Sequence, residues 1–248
     1  MIETTKDAFL GGALNLLQPK TGYRAGADPV FLASAVRARA GQSVLELGCG
    51  VGVALCCLMH RVPGLHGVGV ERDEEMVELA KLNFSNSNLE ADAVRGDIAH
   101  LPEHLNQASF DHVIANPPFF DRAKGTSAQN KNREGGRGEG TQLSIWIDVA
   151  TRRLRPGGHL TMIQRVARLR DVLSLIDSRL GSVEIVPLAS RTGREPDNFI
   201  VVSRKGGRGA LRMHAPFILH EGAHHDGDRD SYTQKAQAIL REGESMNY

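Results

Sequence analysis

The sequence predicts an α/β fold: a doubly wound, mostly parallel sheet of seven strands that ends in an antiparallel hairpin. Three observations carry this. Short apolar runs alternate with amphipathic ones from residue 43 to 180, the pattern of strands joined by crossover helices. The first run leads into a glycine-rich turn, and the next two end on acids. The last two apolar runs, 182–188 and 198–205, are separated by only about ten residues, too few for a parallel crossover.

The elements follow in order. "SVLELG" (43–48) is a short apolar strand that stops in glycine, and "VALCCLMHR" (53–61) reads as a helix. "LHGVGVE" (65–71) is the second strand. "DEEMVELAKLNFSNS" (73–87) is an amphipathic helix, acidic in its first turn as the helix dipole prefers. "ADAVRGD" (91–97) and "FDHVIAN" (110–116) are the third and fourth strands. A helix over 143–154, a "PGG" turn and a strand over 158–164 come next, then a helix over 168–180 and the hairpin strands 182–188 and 198–205. The segment 121–141 is polar and glycine-rich, with five basic and three acidic residues, and reads as a mobile loop. A short helix is expected over 232–241.

Composition narrows the class. Hydrophobic content of 41%, charged content of 24% and a net charge of +1 suit a soluble globular protein. No run approaches the roughly 18 apolar residues of a membrane span, and the N-terminus shows no apolar signal segment. Cys49, Cys56 and Cys57 are odd in number, clustered and off any zinc spacing, so they read as buried thiols in a reducing, cytoplasmic setting. The group His220, His224, His225, Asp226 and Asp228 lies in a polar tail without helical spacing, and no metal site is expected there.

Three motifs point to a ligand. In "LELGCGVG" (45–52), Gly48, Gly50 and Gly52 permit a tight turn and close backbone approach to a bound molecule. A dinucleotide fingerprint would need Gly or Ala at 53, where Val stands, and the preceding Glu46 favours a ligand with a cationic end over a pyrophosphate. That spacing argues against a dehydrogenase. Glu71 ends the second strand, where a carboxylate can accept both hydroxyls of a ribose. Asp97 ends the third, placed to accept an exocyclic amine. The fourth strand runs into "NPPF" (116–119): two prolines cannot continue a central strand, so Asn116 is a rigid amide followed by a stiff turn and an aromatic ring.

With these residues in place, the chain resembles the class I S-adenosylmethionine-dependent methyltransferases, whose fold is a Rossmann-like seven-stranded sheet with a terminal hairpin. Asn-Pro-Pro-aromatic marks the branch that methylates planar amino or amide nitrogens. The resemblance implies S-adenosyl-L-methionine as cofactor, with Glu46, Gly48, Gly50 and Gly52 at its methionine part, Glu71 at the ribose, Asp97 with Ile98 at the adenine, and Asn116 also among the residues of the cofactor site. Asn116 and Pro117 would be catalytic, accepting hydrogen bonds from the target amine, and Phe119 would stack on its ring. "GYRAGADPVFLASAV" (22–36), "PLASRTGREPDNFIVVSRKG" (187–206) and the tail from 219 resemble more closely the bacterial tRNA (adenine-N6)-methyltransferases that act beside the anticodon of a valine tRNA. Phe119 departs from the Tyr of many relatives; stacking survives that change. The resemblance implies a single methyltransferase domain, 1–248, with a covering element (1–40), the loop 121–141 and a tail (219–248).

Two other readings stay open. Glutamine N5-methyltransferases that act on release factors share Asn-Pro-Pro-aromatic, though they carry a helical domain ahead of the glycine motif where this chain has about 40 residues. A non-enzymatic RNA-binding module would need a lost cofactor site, and every motif residue is present. Substrate class is expected from charge: residues 151–220 hold thirteen basic and five acidic residues, and with the loop 121–141 they are expected to form a basic rim for tRNA at the active-site mouth, Arg152, Arg153, Arg204 and Lys205 included. No membrane and no obligate protein partner are expected.

Overall fold

A computed structural model describes residues 2–118, 141–222 and 231–248. Phe119, the loop 121–141 except Thr141, and His224, His225, Asp226 and Asp228 lie outside the described residues.

The strands are β1 (Thr4–Phe9), β2 (Leu14–Pro19), β3 (Ser43–Leu47), β4 (His66–Glu71), β5 (Ala91–Arg95), β6 (Phe110–Ala115), β7 (Leu154–Arg165), β8 (Leu180–Ala189), β9 (Pro196–Lys205), β10 (Arg212–Met213) and β11 (Phe217–Ile218). The helices are α1 (Asp28–Ala35), α2 (Val53–Arg61), α3 (Glu74–Asn86), α4 (Glu103–Gln107), α5 (Leu143–Arg153), α6 (Leu169–Leu175) and α7 (Gln234–Glu242). The central sheet runs β10-β8-β9-β7-β6-β3-β4-β5, with β11 also on β8. β9 is antiparallel to β7 and β8; the other pairs are parallel. The seven expected strands and the terminal hairpin are therefore present. β10 and β11 raise the count to nine among the described residues; at two residues each they carry no alternation to flag them.

Four expectations need correction. The "PGG" turn lies inside β7, where Gly157 takes a left-handed φ of 81° and the β6–β7 register shifts. The helix expected to reach 180 stops at Leu175, because the Asp177 carboxylate accepts the Arg179 amide at 2.8 Å in a local turn. The third strand ends at Arg95, leaving Asp97 two residues beyond it. The antiparallel hairpin β1–β2 was not anticipated, since "TTKDAF" alternates only between exposed and half-buried positions.

Sheet alternation divides the core. Val44, Ile114, Ile163 and Ile200 face α1, α2, α3 and α7; Leu45, Leu47, Val113, Met162 and Val201 face α4, α5 and α6. The three cysteines are buried and unpaired. α7 is capped by the Thr233 hydroxyl, which accepts the Ala236 amide. It buries Ala236 and Ile239 against the first of these cores. Asn83 on α3, fully buried, holds the hairpin to the rest: its Oδ1 accepts the Leu17 amide (2.7 Å), and its Nδ2 donates to the carbonyls of Leu17 (3.0 Å) and Val51 (2.9 Å).

On β6 and β7, His112 and His159 stack with centroids 5.8 Å apart. Burial, then the neighbouring His159, pushes the His112 pKa down to about 4. A histidine depressed in the folded state binds its proton more readily when unfolded. Its contribution is whole above pH 6.5 and is lost as pH falls toward 4. A loss on the order of 2–3 kcal/mol is expected across that window. Denaturant titrations at several pH values check it, and His112→Gln should flatten the dependence. Glu184 acts in a lower window. Against the upward push of burial, hydrogen bonds from Arg37, Arg212 and His214 hold its pKa to about 2.

Candidate active site

The strand register brings the expected residues into one row. Glu46 pairs with Ile114 on β6 and with Gly69 on β4, so all three face the same side. Two residues further along each strand, Gly48, Asn116 and Glu71 continue that side. Gly69 pairs with Ala93 on β5, and Asp97 follows four residues on, beyond the strand end. Across the neighbours β6, β3, β4 and β5, the carboxyl ends thus present Asn116, then Glu46 with Gly48, then Glu71, then Asp97. With neighbouring strands about 4.8 Å apart, the row spans roughly 14 Å. It lies at the carboxyl edge where open α/β sheets bind ligands.

The glycines of the turn serve different ends. All three have left-handed φ: 63° at Gly48, 53° at Gly50 and 82° at Gly52. A Cβ on Gly48 would come within 2.4 Å of the Trp146 ring, and one on Gly52 within 2.5 Å of Phe84. Those two glycines are required by packing from opposite faces. A Cβ on Gly50 would meet nothing within 4 Å. Gly50 is therefore the point at which the backbone lies open to a ligand.

The carboxylates are held ready. Glu46 is only 3% exposed; its Oε2 accepts the Leu55 amide at 3.2 Å. Burial, with a further push from the Glu71 charge, raises its pKa to about 8. Glu71 Oε2 accepts the Gly50 amide at 3.1 Å and Oε1 the Asp73 amide at 3.0 Å, so the same carboxylate fixes the glycine turn and the start of α3. Burial raises its pKa too. Two carboxylates pushed toward neutrality at one sheet edge suit a ligand that brings positive charge. Asp97 is exposed, and its Oδ1 accepts the Ala99 amide at 2.8 Å. Ile98 is buried in the core on the α5 side. Asn116 is half-buried, Pro117 buried and Pro118 exposed.

Sequence reading overlooked Asn83, which ties the hairpin to the glycine turn; within the covering element 1–40 it did not single out Tyr23, whose hydroxyl lies within electrostatic reach of Glu46. Tyr23 is 69% exposed. Crowding at its hydroxyl, with the charges of Asp28 and Glu46, raises its pKa. Asp28 opens α1 and accepts from Asn198 Nδ2 at 3.2 Å. Two cavities, of about 570 and 390 Å³, lie elsewhere, against Lys6, Asn15 and His60 and against Arg37, Arg39 and Arg61. Neither contains a residue of the row.

The basic residues of 151–220 do not form one rim. β7 and β8 begin at the amino edge of the sheet and β9 ends there, since Leu180 pairs with Lys205 and His159 with Arg204. Arg152, Arg153, Arg155, Arg179, Arg204 and Lys205 therefore lie at the edge opposite the row. They are also engaged: Arg152 with Asp148 (2.7 Å), Arg155 with Asp111 (2.8 Å), Lys205 with the Leu154 carbonyl (2.6 Å) and Arg153 with the Leu105 carbonyl (2.8 Å). Arg191 is buried and donates to the carbonyls of Glu221 and Gly222. The carboxyl edge keeps Arg165, Arg168, Arg170 and Arg194, which end or follow β7 or sit in the β8–β9 turn.

This sheet order and this row define a class I S-adenosylmethionine-dependent methyltransferase. A model of the methyltransferase small domain matches residues 26–191, and the chain belongs to that family. A tRNA1(Val) (adenine(37)-N6)-methyltransferase of Porphyromonas gingivalis is 31% identical over 196 residues, covering 73% of this chain and 76% of its own. One from Shewanella baltica is 29% identical over 188 residues, covering 73% and 77%. Among solved structures, a predicted O-methyltransferase from Agrobacterium tumefaciens superposes with a TM-score of 0.70 at 23% identity, over 89% of this chain and 98% of that one. A methyltransferase from Pyrococcus furiosus superposes at 0.56 and 19% identity, over 78% and 89%. Both share the fold. Among the described residues no helix is long and apolar enough to cross a membrane, and no cluster of metal-ligating side chains is present.

Proposed function

We propose that the protein methylates the N6 amine of an adenine in tRNA, beside the anticodon, in the cytoplasm. The observation that carries this is the row Asn116–Glu46–Glu71–Asp97 along the carboxyl edge of four parallel neighbours, the first three on one face and Asp97 just past the end of β5. Asn116 stands at one end, where a target amine would lie. The other three follow in the order that a methionine part, a ribose and an adenine require. The relatives named for adenine N6 in a valine tRNA support the substrate.

S-adenosylmethionine, when bound, supplies an activated methyl group on a sulfonium. The chain's own residues would do the rest. Glu46 and Gly50 would hold the methionine part, Glu71 the ribose and Asp97 the adenine amine. The target nitrogen is a poor nucleophile because its lone pair is delocalised into the ring. Asn116 Oδ1 and the Pro117 carbonyl would each accept one of its N–H bonds, favouring a pyramidal nitrogen with its lone pair toward the methyl. Pro117 and Pro118 keep that carbonyl fixed, which is preorganisation rather than base catalysis. The base must leave its stack to reach this position, with Phe119 as a further stacking ring.

The test of substrate class is a tRNA titration at several salt concentrations, beside methylation of a glutamine-bearing peptide. Arg170→Gln with Arg194→Gln, both exposed at the carboxyl edge, should shallow the salt slope by about one phosphate contact each. Arg152→Gln with Arg204→Gln, at the opposite edge, should leave it unchanged. Flat salt dependence together with peptide methylation would replace this reading by the glutamine N5 one.

A further inference from the structure

Residues 19–24 form a small loop that is braced at every side. Gln18 closes it: its Oε1 accepts the Ala25 amide at 2.7 Å and its Nε2 donates to the Ala25 carbonyl at 3.2 Å. The Lys20 amide donates to the Glu3 carbonyl at 2.8 Å. Arg24 pairs with Asp7, which also accepts from Gln18 at 2.7 Å. So much bracing holds up a tip whose largest side chain, Tyr23, is 69% exposed. Most of the ring is in water, and only its hydroxyl end is crowded near Asp28 and Glu46, so packing of the ring gives little reason for the bracing.

The position of the loop supplies a reason. On one side Leu17 is joined through Asn83 to Val51 of the glycine turn. On the other, Asp28 is joined to Asn198, which pairs with Arg165 at the end of β7. The chain from Ala25 to Asp28 therefore crosses from beside the glycine turn, which follows β3, to the start of β9, and the ends of β6 and β7 lie between them in the sheet. Asn116 ends β6. Asp28 and Asn198 stand on the Asn116 side of β3, while Glu71 and Asp97 stand on the far side. The Tyr23 hydroxyl lies within electrostatic reach of both Asp28 and Glu46, so the ring stands at the Glu46–Asn116 end of the row, away from the ribose and adenine end.

We propose that Tyr23 is a specificity-determining residue: its ring stacks on the target nucleobase while the amine of that base lies at Asn116. This rests on the tRNA reading above and adds a second aromatic contact from the N-terminal segment, outside the matched family model. The ring is the working part, because Tyr23 makes no demand on its hydroxyl in stacking. Being largely exposed, it can be truncated with little packing loss.

The experiment compares wild type, Tyr23→Ala and Tyr23→Phe. Affinity for a tRNA transcript is measured by filter binding, affinity for S-adenosylhomocysteine by calorimetry, and KM and kcat for tRNA methylation separately. Tyr23→Ala should weaken tRNA binding and raise KM on the order of tenfold, the scale of one lost base–aromatic stack. Cofactor affinity should be unchanged, and Tyr23→Phe should restore tRNA affinity. Weakened cofactor binding in Tyr23→Ala would overturn the proposal by making the loop a cofactor cover. Unchanged tRNA affinity would overturn it as well. A wild type that methylates no tRNA would instead sink the tRNA reading, and this proposal with it.

Discussion

Asn116→Ala is expected to lower kcat by about 10²–10³, the usual effect of removing one oriented polar group at a reacting centre. Cofactor affinity should stay near that of the wild type. Asn116 lies at the end of β6, one strand from Glu46 and two from Glu71, so it can act on the target amine without touching the ribose side. The measurement is single-turnover methylation beside calorimetric cofactor binding. Asn116→Asp is the sharper companion: it keeps an acceptor oxygen but adds a charge beside Glu46. It should therefore retain more turnover than alanine at a cost in pH behaviour. Full turnover in Asn116→Ala would remove the amine-positioning role and leave the Pro117 carbonyl to carry it alone.

Much of this site was legible because its signals are local. A glycine turn after an apolar run, an acid at each of the next strand ends and a double proline after the fourth strand each declare themselves within a few residues. Spatial order then follows from topology: sequential parallel strands bring their carboxyl ends to one edge. Alternation, which sets Glu46, Glu71 and Asn116 on one face, could also be counted from the sequence once the registers were known. What the sequence hid was distant pairing. The clamp of Asn83 between Leu17 and Val51 joins residues far apart in the chain, and no local pattern announces it. The hairpin β1–β2 escaped because neither face of β1 is apolar.

The arginines teach a different lesson. A charge count over 151–220 treats the segment as one surface, yet a parallel strand carries its flanking residues to opposite edges. Arg152, Arg153 and Arg155 precede or open β7, whereas Arg165, Arg168 and Arg170 end or follow it. That division was readable from strand direction alone. It leaves the carboxyl edge with fewer arginines than the composition suggested, and makes those few the sensible targets for mutation.

Cofactor affinity should rise with pH, and Glu46 should be the reason. In the unliganded protein burial lifts the Glu46 pKa to about 8, so near neutrality the carboxyl is mostly protonated. A raised acid binds more protons folded than unfolded, so its ionisation destabilises the unliganded protein as pH climbs from 4.5 through 8. A ligand with an ammonium group beside Glu46 reverses that balance, because it favours the carboxylate. Binding should then expel close to one proton, and affinity should increase about twenty-fold between pH 6 and 7.5. S-adenosylhomocysteine is the better probe, since it keeps the ammonium and lacks the sulfonium, which isolates the contribution of the amine. Calorimetry in buffers of different ionisation enthalpy reads the proton release directly. Glu46→Gln should abolish that release, flatten the pH dependence and raise the melting temperature of the unliganded protein at pH 8. A wild type whose affinity is level across this range, with no proton released, would show that Glu46 does not meet the cationic end of the cofactor.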